Sequence, residues 1–217
     1  MGRQAQARRP GTTNPTASNS GFEGASGRMA AAVMARLNRD MERAAIAELD
    51  PGEDDDVLAV GFGPGVGIQE LTRRLRRGCV AGIDPSPAMV ELARRRNRHA
   101  VGTGEVALFE AAADAIPFPD GAFRGVVGVN SMQLWRPLDG SLREVARVLA
   151  PGGALVAVTH VWAIEKRASL DEWLARLSPL LQSCGLGDVR QRTESFRSGA
   201  GLVLSVRKTG LHTPMAP

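Results

Sequence analysis

The sequence predicts a doubly wound α/β domain: a mostly parallel sheet of seven strands with an antiparallel edge strand and an added N-terminal helix. Three observations predict it. Short apolar runs alternate with stretches whose apolar residues recur every three or four positions, the pattern of strands joined by helical crossovers. The first run, Val57-Leu58-Ala59-Val60, passes straight into Gly61, Gly63, Gly65 and Gly67, and then into Ile68, Leu71 and Leu75 at helical spacing. The last two runs have no helix between them, so that pair closes the sheet antiparallel.

In chain order, residues 1–25 are rich in Gly, Ser, Thr, Asn and Pro and read as a disordered tail. A helix is expected over 26–50, from Met29, Val33, Leu37 and Met41 at intervals of four, with Ser26 as its cap and Asp50-Pro51-Gly52 as its stop. It either covers a ligand cleft or packs on the sheet. The domain then runs to residue 209, with 210–217 as a C-terminal tail. Cys79 to Ile83 forms the second strand and ends in Asp84. Ser86-Pro87 opens a helix that turns Met89, Val90 and Leu92 inward, Pro being favourable at a first helical position. Gly102 and Gly104 break the chain before a third strand, Val106 to Phe109. Asp114 to Gly121 is a loop with two prolines. A fourth strand near 125–130, a helix from Ser141 to Leu149, a hard turn at Pro151-Gly152-Gly153 and a fifth strand from Ala154 to Thr159 follow. Leu170, Trp173, Leu174, Leu177, Leu180, Leu181 and Cys184 form one helical stripe that Gly185 stops. Short strands near 189–193 and 202–206 close the chain.

Composition narrows the function classes. The chain has 217 residues, 43% of them hydrophobic, enough for one domain with a substantial core. No apolar run approaches the ~20 residues of a membrane span, and no secretory leader is evident, so a cytoplasmic setting is expected. Two cysteines make neither a disulfide framework nor a zinc site, and no metal is expected. The net charge of +4 is carried by arginines clustered at 73–77 and 94–98. They read either as an anionic-partner surface or, the favoured reading, as solvated helix ends where cations suit the dipole. With 4% aromatics and no tyrosine, base-stacking platforms are not indicated, which argues against a nucleic-acid partner.

In open α/β sheets ligands bind beyond the carboxyl ends of the strands, so strand-end residues are the candidates. The glycine turn admits close approach of a ligand to backbone. It is not the dinucleotide fingerprint, because Val66 and Ile68 stand where a sixth-position glycine would, and no Gly-Lys-Ser/Thr ending makes a phosphate loop. Asp84, at the end of strand two, has the place and spacing of a carboxylate that accepts from both ribose hydroxyls. Asp114 and the Ala115 N–H suit the edge of an adenine. Carbonyls around Asn130, Ser131 and Gln133 suit an ammonium group.

Four segments in order, VLAVGFGPGVG, GIDPSPAMVELAR, ADAIPFPDGAFRGVVGVNSMQLW and LREVARVLAPGGALV, resemble the Rossmann-like class I S-adenosylmethionine-dependent methyltransferases, particularly the type 11 and ubiquinone/menaquinone C-methyltransferase-like group. The resemblance covers most of the ordered chain. It implies S-adenosylmethionine as cofactor, held by Gly61, Phe62, Gly63, Gly65, Asp84, Pro85, Met89, Ala113, Asp114, Ala115, Asn130, Ser131 and Gln133. One position departs from it: the family usually carries Asp or Glu where this chain has Ala59, a carboxylate that helps hold the methionine ammonium.

Methyl transfer from a sulfonium needs chiefly alignment of the acceptor; a base helps where the acceptor is a hydroxyl or an acidic carbon. His160, directly after the fifth strand, is the candidate base, and Trp135 and Trp162 are candidate walls of a substrate pocket. NSMQ stands where amino-directed nucleic-acid enzymes carry an Asn/Asp-Pro-Pro-Tyr/Phe loop, so a small-molecule or natural-product acceptor is expected. Two alternatives stay open: a non-catalytic S-adenosylmethionine binder and an RNA-directed methyltransferase.

Overall fold

The structure, a computed structural model, describes residues 38–209. The expected helical turns around Ser26, Met29, Val33 and Leu37 and both tails lie outside the described residues. Helix α1 (Arg39–Leu49) leads into β1 (Val57–Val60), α2 (Val66–Arg74), β2 (Val80–Asp84), α3 (Pro87–Arg96), α4 (Arg98–Thr103), β3 (Val106–Glu110) and β4 (Phe123–Val129). Then come α5 (Leu138–Val148), β5 (Leu149–His160), α6 (Val161–Glu165), α7 (Leu170–Ser183), β6 (Leu186–Phe196) and β7 (Gly199–Lys208).

The seven strands form one sheet in the order β3-β2-β1-β4-β5-β7-β6. The first five are parallel; β7 pairs antiparallel with both β5 and β6, and the β6–β7 hairpin closes that edge as the missing crossover helix predicts. Strand order reverses between β1 and β4, so a crevice opens at the carboxyl ends of those two strands, flanked by β2 and β5.

Every residue of β1 is buried because helices cover both sheet faces. The twofold repeat of a strand divides its side chains. Leu58 and Val60 join the core beneath α5 and α7, with Leu142, Val145, Leu177 and Leu181. Val57 and Ala59 join the core beneath α1 to α4, with Met41, Ala45, Ile68, Leu71 and Ala93. Helix α1 lies along this second face. A Cβ on Gly125, early in β4, would come within 2.6 Å of the Leu49 side chain, while Met41, at the other end of α1, lies beside Asn130 just past β4, whose amide Nδ2 is 3.5 Å from its Sδ.

Several sequence expectations shift. Ala93, rather than Leu92, is the third buried position of α3, because the stripe turns by one residue. Gly102 sits inside the short helix α4 instead of ending a segment. Helix α5 begins at Leu138, three residues before Ser141. The turn at Pro151-Gly152-Gly153 is a bulge within β5: Leu149 pairs with Phe123, and pairing resumes at Ala154 opposite Gly125. The closing strands are about twice their expected length, since β6 is an exposed edge whose polar residues carry no apolar signal. Of the long stripe in α7, only Leu177 and Leu181 are fully buried. The arginine clusters behave as solvated helix ends: Arg73 pairs with Glu70, Arg74 with Asp50, Arg76 and Arg77 with Glu53, and Arg95 with Glu91.

Candidate active site

The crevice is built from four strand ends. After β1 the chain passes through Gly61, Gly63 and Gly65 with φ of 69°, 53° and 78°. These left-handed conformations are strained for any residue with a Cβ. They curl the loop so that its amides face the end of β2, where Gly63 N–H donates to Asp84 Oδ2 at 2.8 Å. Asp84 Oδ1 accepts from Ser86 N–H at 2.9 Å. Asp84 is 6% exposed. Burial raises its pKa above the ordinary carboxylate value, and the two backbone bonds oppose that rise.

Side chains distant in sequence hold the glycine loop from behind. Asn97 Nδ2 donates to Gly65 O at 3.1 Å, and Arg96 Nη1 to Pro64 O at 2.6 Å. Ser131 Oγ donates to Val60 O at 2.7 Å, locking the ends of β1 and β4 together. None of Asn97, Arg96 or this use of Ser131 is legible in the sequence, where Arg96 and Asn97 read as the end of a charged helix.

At the end of β4, Asn130 has φ 50°, an unusual conformation for a residue other than glycine. Its Oδ1 accepts from both the His160 backbone N–H and His160 Nδ1, each at 2.9 Å. An amide oxygen only accepts, so Nδ1 carries the proton and Nε2 accepts from Ser198 Oγ at 2.7 Å in the neutral ring. His160 is 4% exposed, and burial lowers its pKa while Asp40 opposes that shift. Both ring nitrogens are therefore used inside the protein, tying β4, β5 and the β6–β7 turn together. Gln133 Nε2 donates to Asn130 O at 3.0 Å, while its Oε1 is buried and has no hydrogen-bond partner among the described residues.

The loop after β3 is clamped by α5. Glu144 Oε2 accepts from Ile116 N–H at 3.0 Å, and Arg147 donates to Ile116 O at 2.9 Å and Phe118 O at 2.7 Å. Arg147 also pairs with Glu144 and Asp120, which holds the Glu144 carboxyl below its ordinary pKa. In the sequence, Glu144 and Arg147 look like a surface pair three residues apart. Here they fix the loop that begins at Asp114. Asp114 and Ala115 are exposed at the mouth, with Ala113 half-buried; the Ala115 N–H is bonded within its own turn, to Ala112 O at 3.2 Å. Phe62 and Met89 are buried, and Pro85 is exposed beside Asp84.

The two candidate pocket walls part company. Trp135 is 5% exposed and belongs to the core under α5, whereas Trp162 is 50% exposed at the end of β5. Trp162 stacks on His160 at 5.4 Å, and Lys166 Nζ sits 4.5 Å from the centre of its ring. Leu134, 53% exposed after β4, is the apolar surface residue that the sequence reading missed. Among the described residues no cluster of His, Cys, Asp and Glu suits a metal, and no helix is long and apolar enough to cross a membrane.

The donor and acceptor set fits an adenosyl group with an amino-acid tail. There is a backbone cradle where a Cβ on Gly63 would meet nothing within 4 Å among the described residues. A buried carboxylate stands beside it for hydroxyl donors, and the buried Gln133 Oε1 is an acceptor without a donor among the described residues.

Residues 57–153 match the family described as Methyltransferase domain. The Bacillus subtilis (strain 168) protein YrhH, which carries a provisional methyltransferase name, is 34% identical over 118 residues, 54% of this chain and 64% of that protein. A demethylmenaquinone methyltransferase of Thermus thermophilus is 39% identical over 102 residues, 47% of this chain and 46% of that protein. The chain thus spans less than two thirds of these relatives' length. A solved S-adenosylmethionine-dependent methyltransferase from Aquifex aeolicus shares the fold, with a TM-score of 0.62 at 21% identity over 76% of this chain and 88% of that one. Residues 57–153 are therefore a methyltransferase domain, and they share their fold with S-adenosylmethionine-dependent enzymes.

Proposed function

We propose that this chain, with its class I S-adenosylmethionine-dependent methyltransferase domain, transfers a methyl group to a small-molecule acceptor bound over the ends of β4 and β5. The observation that carries the reading is the pairing of the curled glycine loop with a buried Asp84 at the reversal of strand order. In this reading the backbone of Gly61, Gly63 and Gly65 borders the methionine part, Asp84 accepts from the ribose hydroxyls, and Asp114 with Ala113 and Ala115 borders the adenine. Phe62, Pro85 and Met89 pack around the nucleoside, while Asn130, Ser131 and Gln133 frame the sulfonium end.

S-adenosylmethionine supplies an already electrophilic methyl group. What the residues contribute is position and exclusion of water. Leu134 and Trp162 offer apolar surface to the acceptor beside the cations Lys166 and Arg167, the latter anchored through Nη1 to Gln133 O at 2.9 Å. His160 acts here as a positioning residue for Asn130, because both its nitrogens are bonded within the fold. A small acceptor agrees with relatives such as the demethylmenaquinone enzyme. The RNA-directed alternative loses support from arginines that are paired with acids on their own helices and loops.

Calorimetric titration with S-adenosylmethionine and S-adenosylhomocysteine tests the reading. Micromolar binding is expected. Asp84→Ala should weaken it about 100-fold, because charge-assisted bonds to two hydroxyls are lost. No binding to the intact protein would refute the cofactor assignment. Turnover on a panel of carboxylate, phenol and quinol acceptors then tests the acceptor class.

A further inference from the structure

Helix α1 brings a carboxyl group, which strand β1 does not supply, to the first turn of α2 directly after the glycine loop. Ala59, two residues before Gly61, is 5% exposed and lies in the same core as Met41 and Ala45 of α1 and Ile68 of α2. Its methyl group offers no acceptor. One residue after Met41, Glu42 points its carboxyl at the first turn of α2. A Cβ built on Gly67 would fall 2.9 Å from Glu42 Cδ and still nearer Oε2, so the absence of a side chain at Gly67 is what admits the carboxyl. That turn follows directly on the glycine loop.

Glu42 is half-buried there. Among the described residues it makes no hydrogen bond, and the one charge whose field reaches it is that of Glu70, on α2. Nearby cations are committed elsewhere: Arg39, Arg43 and Arg73 surround Glu70 at 3.9, 3.4 and 3.2 Å, and Arg96 is bonded to Pro64 O. Burial and the Glu70 charge push the Glu42 pKa up to about 8. A partly desolvated carboxyl that pairs with no cation among the described residues is costly, and an ammonium placed beside it lowers that cost.

Resting on the cofactor reading above, we propose that Glu42 is the acceptor for the methionine ammonium of S-adenosylmethionine, in place of the carboxylate absent at Ala59. The role passes from a strand to a helix packed over it, with Gly67 as the opening between them. Binding then carries a proton signature. At pH 7 a group with a pKa of about 8 is roughly nine-tenths protonated, so engaging an ammonium expels about one proton per cofactor bound.

The test is calorimetry on the full chain, in phosphate and in Tris, with S-adenosylhomocysteine and with 5′-methylthioadenosine, which lacks the amino-acid tail. Glu42→Gln should weaken S-adenosylhomocysteine about 10- to 100-fold, abolish the proton release and leave 5′-methylthioadenosine unchanged. Ala59→Asp added to Glu42→Gln should restore much of the loss. Glu42→Gln that keeps full affinity, or that loses both ligands equally, would overturn this assignment. An intact protein that binds neither ligand would instead overturn the cofactor reading on which it rests.

Discussion

Gly63 and Gly65 stand two residues apart in one loop, both with positive φ, yet substitution by alanine should damage different properties. At Gly65 (φ 78°) a Cβ would meet Ala93 Cβ at 2.7 Å, Ala93 Cα at 2.9 Å and Asn97 Nδ2 at 2.9 Å. Ala93 is fully buried in the middle of α3, so relief requires α3 to move from the loop. The left-handed conformation costs about 1–2 kcal/mol and the overpacking about 1–3 kcal/mol. Loss of the Asn97 bond to Gly65 O adds about 1 kcal/mol. Gly65→Ala should therefore destabilise the fold by about 3–6 kcal/mol, a large share of a typical domain's stability. At Gly63 (φ 53°) a Cβ would meet nothing within 4 Å among the described residues, so only the backbone term of about 1–2 kcal/mol applies. Gly63 N–H is bonded to Asp84, so in the proposed reading a Cβ at Gly63 intrudes on the cofactor and Gly63→Ala should weaken S-adenosylhomocysteine at least tenfold. Urea unfolding followed by tryptophan fluorescence measures the first effect, with Trp135 as a buried reporter, and calorimetry the second. Equal destabilisation by the two substitutions would refute the argument, as would Gly65→Ala within 0.5 kcal/mol of the unmodified chain.

Three further outcomes are expected. Arg147→Ala should free the loop from Asp114 to Gly121, with stability lower by about 1–3 kcal/mol and faster proteolytic cleavage within that loop. His160 has a folded pKa below its ordinary 6.5; its contribution is present above pH 6.5 and is lost as the pH falls through the lowered value, so His160→Gln should flatten the acid side of a stability-pH profile. Ser169→Ala should cost about 1 kcal/mol in thermal unfolding, because it removes the acceptor for Glu172 N–H at 3.2 Å in the capping box that starts α7.

The departures from the sequence reading have identifiable causes. Period-two and helical repeats place elements well where burial is one-sided or complete, as in β1, β2, α2 and α3. They fail where burial is low, as in β6, and where a bulge interrupts pairing, as at Pro151-Gly152-Gly153. Among the tryptophans, Trp135 and Trp162 each follow a strand and look alike in sequence. Their fates differ because the 3-10 turn at Met132–Leu134 rolls Trp135 under the sheet, while α6 leaves Trp162 at the rim.

By itself the sequence determined the layer order, the glycine loop, and Asp84 at the end of the second strand. Those features are local: apolar periodicity, glycine spacing, and the rule that ligands sit past carboxyl strand ends. Only the tertiary structure decided which side chains support them. Asn97 under Gly65, Ser131 against Val60, Arg147 on the loop after β3, and Glu42 against Gly67 join positions separated by 25 to 71 residues. Such contacts depend on how helices pack against strands, and no short-range pattern in the chain encodes them.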